Sequence, residues 1–225
     1  MKIRLHLNIF IFIIIFILTR QIEIYGIIMI FSILHELGHI ITGLILGFKP
    51  DTLEIMPFGL SIQFCSDAKN YNKKIKNGTL LNLKKIVIAT SGPLVNIIFT
   101  IFFMFYPISF FNIQQEILVY SNILIAIFNL IPIYPLDGGR ILNNILYIIK
   151  NRKQAYRYTN IVSNITISIL TAISSIVILY CKNYAILIIL GYLWFLVIKE
   201  NKIYEKKIKI YEKIVADINA QSCIK

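Results

Sequence analysis

Residues 35–39 read His35-Glu36-Leu37-Gly38-His39, in the middle of a stretch, 24–48, that is otherwise almost wholly apolar. Two histidines four residues apart fall on one helix face, one turn apart, and can both ligate a metal. Glu36 lies beside them, where its carboxylate can take a proton from a metal-activated water. The pattern predicts a zinc site built inside a membrane helix. The alternative is a pair of polar residues packed between helices. Against it, an ionisable triplet at membrane depth is expensive and points first to function.

A third ligand is available later in the chain. Residues 129–140 run Asn129-Leu-Ile-Pro132-Ile-Tyr-Pro135-Leu-Asp137-Gly138-Gly139-Arg140. Two prolines three apart break a helix, glycines after them let the backbone bend, and non-helical chain at this depth must line a cavity or be buried in protein. Asp137 is the acidic residue at this break. Added to His35 and His39, it leaves the fourth position of a tetrahedral zinc open for water, as catalysis requires. Its alternative role is the N-cap of a helix over 140–149.

The elements that must position these groups follow from composition. The chain has 225 residues, 57% of them hydrophobic, and a formal net charge of +12. That combination suits a polytopic membrane protein. Apolar runs cover 5–19, 24–48, 86–115, 117–136, 158–181 and 183–198, which gives six spans, a span needing about 20 apolar residues. With both termini cytoplasmic, 21 of the 23 lysines and arginines fall on the cytoplasmic side and only Arg20 and Lys182 fall outside, as the positive-inside rule demands. The basic charge is therefore topological. Its spread over separate segments argues against a nucleic-acid partner and makes the lipid bilayer the surroundings of the chain. The start resembles a secretory signal but lacks a small-residue cleavage site, so an uncleaved first span is expected. Three cysteines, Cys65, Cys181 and Cys223, have no metal-type spacing.

The fold class is thus all-α and polytopic, about six transmembrane helices with a short β-hairpin on the cytoplasmic side. The hairpin reading comes from two strand-like runs within 52–64, separated by Pro57 and Gly59, at the start of the polar loop 49–85. A hairpin there could pair with an extended substrate by strand addition; a plain connecting loop fits the same residues. In span three, Ser91-Gly92-Pro93-Leu94-Val95-Asn96 offers small residues for close packing against span two and an asparagine that needs a buried partner. Residues 141–157 are amphipathic and basic, expected along the cytoplasmic interface. The membrane-embedded domain is 1–198, with its core about 22–150, and 199–225 is a short basic amphipathic cytoplasmic tail.

With His35-Glu36-x-x-His39 in one span and Asn129-x-x-Pro132-x-x-x-x-Asp137-Gly138 in a later one, the sequence resembles the site-2 protease family of intramembrane zinc metalloproteases. The Leu37-Gly38-His39, Ser91-Gly92-Pro93 and Pro135-to-Arg140 stretches look most like its sporulation branch, the stage IV sporulation protein FB type, here without the CBS domain that often follows the last span. The resemblance covers about 22–150. It implies zinc held by His35, His39 and Asp137, Glu36 as general base and Asn129 as a substrate or oxyanion contact. It also implies a membrane-associated protein substrate, in that branch a pro-sigma factor, and membrane-embedded regulators as further partners. The location implied is the plasma membrane or an internal sporulation membrane of a bacterium. Two other functions use the same residues: an ion or solute transporter, and a catalytically silent scaffold.

Overall fold

The computed structural model describes residues 2–5, 10, 13–14, 17, 22–56, 59–65, 78–106, 114–150, 152–181 and 185–222. Most of the expected first span, the lysine-rich part of the long loop, and Cys223 lie outside the described residues. The elements are β1 (Lys2–Leu5), α1 (Ile22–Ile45), β2 (Lys49–Met56), β3 (Gly59–Cys65), α2 (Gly78–Phe105), α3 (Gln115–Leu130), α4 (Asp137–Ile149), α5 (Arg152–Cys181) and α6 (Ala185–Ser222). They divide into two compact units, Met1–Leu130 and Ile131–Lys225.

In the first unit α1 packs on α2 and α3. Its buried residues include Ile27, Phe31, His35, His39 and Gly43, while Ile30, Ile33, Leu37, Ile41 and Leu44 are exposed. That is a helical period, with the polar residues on the inner face. Ile27 and Phe31 of α1 meet Leu118 and Ile125 of α3, with Phe99 and Phe103 of α2 packed alongside. Phe31 lies 5.7 Å from both Phe99 and Phe103, edge-on to the latter. Lipid is as apolar as these side chains, so close packing and buried polar contacts, rather than release of water, hold such helices together.

β2 and β3 are antiparallel, in register from Lys49 opposite Cys65 to Met56 opposite Gly59, with an irregularity between Pro50 and Thr52. A third strand, β1, runs parallel to β2 with Lys2 opposite Thr52. The sequence reading contained only two strands. The sheet order is β1-β2-β3, and both β2 and β3 touch α1. α1 stops at Gly47, whose φ of +83° is a left-handed conformation suited to glycine, and Phe48 N–H closes back on Gly43 O at 2.8 Å.

In the second unit α5 packs on both α4 and α6. Polar ties mark those contacts: Thr159 Oγ1 donates to Asn143 Oδ1 at 3.3 Å, Asn201 Nδ2 to Asn164 Oδ1 at 3.1 Å, and Trp194 Nε1 to Thr171 Oγ1 at 3.0 Å. Among the described residues three helical segments are long and apolar enough to cross a membrane, Ile22–Ile45, Gly78–Phe105 and Lys153–Tyr180. Several boundaries differ from those read from hydropathy. α2 begins at Gly78, inside the segment expected to be loop, so its first turns are polar. Residues 152–157 are the start of α5 and not the end of an interfacial helix. α6 runs without a break from the expected last span into the tail, because 199–206 contains no glycine or proline to stop it.

Candidate metal centre

On α1 the two imidazoles meet edge to face, with centroids 4.8 Å apart and Nε2 atoms 3.2 Å apart. Both are 2% exposed. His39 Nδ1 lies 2.6 Å from Ile88 O of α2. A backbone carbonyl can only accept, so Nδ1 carries a proton, and in the neutral imidazole Nε2 then carries the lone pair. His35 Nδ1 lies 2.7 Å from Asn96 Oδ1, also on α2, which fixes the same tautomer. Glu36, next in sequence, is buried as well.

The part of α2 that receives these contacts is shaped by its proline. Pro93 sits within the helix; it supplies no N–H to Ala89 O and its ring presses on that carbonyl. One residue earlier, Ile88 O accepts from His39 and, at 2.7 Å, from Ser91 Oγ. Small residues do the rest. A Cβ on Gly38 would lie 2.7 Å from Val95 Cγ2 and 3.1 Å from Ser91 O, so α1 and α2 could not approach as they do. A Cβ on Gly92 would press into His39 Nε2 and lie 2.6 Å from His35 Nε2. Gly92 therefore keeps open the space onto which both nitrogens point.

Asp137, in the second unit, is buried and is the first residue of α4. The N-cap position belongs to Leu136, with no side-chain cap, so the capping role is not the one Asp137 plays. In the first turn its charge complements the helix dipole, and Arg140 Nη1 stands 3.7 Å from its Oδ1. The break before it is a tight structure. Ile133 is fully buried, Leu136 N–H donates to Ile133 O at 2.8 Å, and Tyr134 N–H donates to Ser163 Oγ of α5 at 3.1 Å. Gly139 is needed there, because its Cβ would collide with Tyr134 N and lie 2.6 Å from Ile133 O. Asn129 lies in the last turn of α3 in the first unit, and its Nδ2 donates to Ile125 O of the same helix at 3.0 Å.

His35 and His39 offer two nitrogen ligands in the first unit, and Asp137 offers a buried carboxylate in the second. Two ligand nitrogens on a tetrahedral zinc, each about 2.0–2.1 Å from it, stand about 3.3 Å apart; the two Nε2 atoms stand 3.2 Å apart. Two lone pairs facing each other at that distance repel unless a cation lies between them. The nitrogen pair and its spacing suit zinc. The sequence reading named His35, His39 and Asp137 as ligands and did not name Asn96 as the partner of His35 or Gly92 as the spacer. The available signal was an asparagine and a glycine in an uncharged run, which does not reveal a partner 61 residues away.

Residues 109–173, which contain Asn129 and Asp137, match the model for Peptidase family M50. A zinc metalloprotease of Methanocaldococcus jannaschii is 34% identical over 139 residues, 59% of this chain. The matched stretch spans 36% of that relative's length. Among solved structures, the site-2 protease from Methanocaldococcus jannaschii superposes with a TM-score of 0.65 at 23% identity, covering 88% of this chain and 89% of that one. In fold, this chain is similar to a site-2 protease.

Proposed function

We propose that this protein is an intramembrane zinc endopeptidase of the site-2 protease type, which hydrolyses a peptide bond in or near a membrane-associated segment of a protein substrate. The observation that carries this reading is the histidine pair. Two imidazoles are held Nδ1–H against acceptors, with Nε2 atoms 3.2 Å apart, beside a buried glutamate in a helix apolar enough to cross a membrane. In this reading His35, His39 and Asp137 hold the zinc. When bound, zinc supplies a Lewis acid for the scissile carbonyl and lowers the pKa of water toward about 7.

Glu36 accepts a proton from the attacking water and delivers it to the leaving amine, a contribution of roughly 10²–10⁴-fold. Water is consumed, a carboxylate and an amine are formed, and Glu36 returns ionised. Asn129 contacts the substrate carbonyl by turning its amide from Ile125 O, a role that rests on the family resemblance. A helical substrate keeps its carbonyls bonded and screened, so it must be extended before it is cut. β3 supports this step, because it stands at the end of the sheet order with β2 as its neighbour. Proline in place of Ile62, which pairs with Leu53, is expected to slow cleavage with zinc content unchanged; an unaltered rate would exclude docking along β3.

The chain is multi-pass, with six spans and both termini cytoplasmic, a topology supported by the distribution of basic residues. A pro-sigma factor is the substrate that the 135–140 stretch favours, with membrane-embedded regulators. The decisive experiment co-expresses the protein with membrane-tethered candidates. Glu36→Gln should abolish cleavage and retain zinc, since the amide keeps the shape and cannot act as a base. Asp137→Ala should lose zinc itself. Cleavage by Glu36→Gln at the wild-type rate would refute the mechanism, and full zinc content in Asp137→Ala would remove that ligand. A transporter or a silent scaffold predicts no Glu36-dependent product.

A further inference from the structure

Behind His35 the polar contacts continue away from the metal centre. Asn96 Nδ2 donates to Asn122 Oδ1 of α3 at 3.2 Å, and Asn122 Nδ2 donates to Leu118 O at 2.9 Å. Asn96 is 1% exposed and Asn122 is fully buried, so neither can exchange its partners for water. The chain of bonds has a direction, and its far end sets it. Leu118 O can only accept, so the Asn122 amide must turn its Nδ2 that way; the reverse orientation would bring two acceptor oxygens together at 2.9 Å. Oδ1 of Asn122 then faces Asn96 and can only accept from it. Asn96 must present Nδ2 there, and its Oδ1 is left for His35 Nδ1. The proton of His35 is thereby held on Nδ1 and the lone pair on Nε2.

We propose that Asn122 is a positioning residue of the metal centre, which holds His35 in its metal-binding tautomer through Asn96. It touches neither metal nor substrate. His39 needs no such relay, because Ile88 O meets its Nδ1 directly. His35 Nδ1 meets a side-chain oxygen instead, Asn96 Oδ1, and the relay ties that oxygen to a backbone carbonyl across three helices. Without Asn122 the Asn96 carboxamide is free to rotate by half a turn. It then offers a donor to His35 Nδ1, moves the proton to Nε2 and blocks the ligand position.

This inference rests on the zinc reading above, and the test separates the two. Zinc affinity is measured by chelator competition on the purified full chain in detergent, for wild type, Asn122→Leu, Asn96→Asp and the double variant. Asn122→Leu is expected to weaken zinc by about tenfold, the lower end of the usual effect of an outer-shell partner. Aspartate at 96 is acceptor-only in either orientation, so it should hold the His35 tautomer without help, and the double variant should recover most of the lost affinity. A purely structural role for Asn122 would give no such rescue. Wild-type affinity in Asn122→Leu, or a double variant as weak as Asn122→Leu, would overturn the proposal. Absence of zinc from the wild type would instead overturn the metal reading and the relay with it. Should Asn122→Leu not fold, Asn122→Ala carries the same cycle.

Discussion

α1 and α5 are both long apolar helices, yet they face different surroundings. Of the most apolar part of α1, 44% is buried, against 11% for α5. α1 turns Ser32, His35, Glu36 and His39 inward, whereas α5 buries a narrow stripe, Ala155, Thr159, Ser163 and Ile167, at every fourth residue. Its other faces carry Ile161, Ile165, Ile169, Ile173 and Ile176, all exposed and suited to lipid. The hydroxyls of α5 bond to its own backbone, Thr159 to Ala155 O and Ser163 to Thr159 O, and its polar side chains also make ties to α4 and α6. Those of α1 reach a neighbouring helix. Similar hydropathy thus covers two differently built helices, one burying ionisable side chains and the other hydroxyls and apolar groups.

The sharpest way to break this contrast is Gly92→Ala. Alanine would ordinarily favour a helix by about 1 kcal/mol over glycine, but here its Cβ enters the space between the two imidazoles. Zinc affinity should fall by about 10–100-fold, the range for lost ligand orientation. Gly26→Ala on α1, where a Cβ meets nothing within 4 Å, should leave it unchanged. Equal behaviour of the two variants in chelator competition would show that α1 tolerates repacking as a scaffold does.

A smaller effect is expected on α5. Ile169→Arg places a charge on a face that is 53% exposed, at a cost of roughly 2.5–3.5 kcal/mol near a bilayer centre. The yield of inserted protein should drop, while the zinc affinity of the molecules that do insert stays at the wild-type value. A changed zinc affinity at unchanged yield would mean that this face packs on protein. The finest measurement sharpens the topology on which the contrast depends. On intact cells of a host that inserts the chain correctly, an impermeant thiol reagent should reach Cys181, at the end of α5, and spare Cys65 on β3. Labelling of Cys65 before lysis would overturn the six-span arrangement.

The local chemistry was legible in the sequence because it depends on local geometry. His35 and His39 share a face through the helical repeat alone, and Glu36 follows from adjacency. The interruption at 131–136 follows from Pro132 and Pro135, since neither can donate a backbone bond, and α3 indeed ends at Leu130. Lys2-Ile3-Arg4-Leu5 alternates as a strand does, yet four residues cannot name a pairing partner near position 52. Hydropathy likewise could not place the start of α2, because the polar turn from Gly78 is helical through backbone bonds and not through apolar content. Which nitrogen of each histidine faces an acceptor was decided by the tertiary structure: by Ile88 O for one, and by Asn96, Asn122 and Leu118 O for the other. Gly92 belongs to the same class. A missing Cβ carries no signal in a single sequence, and its meaning appears only when another helix brings two imidazoles against it.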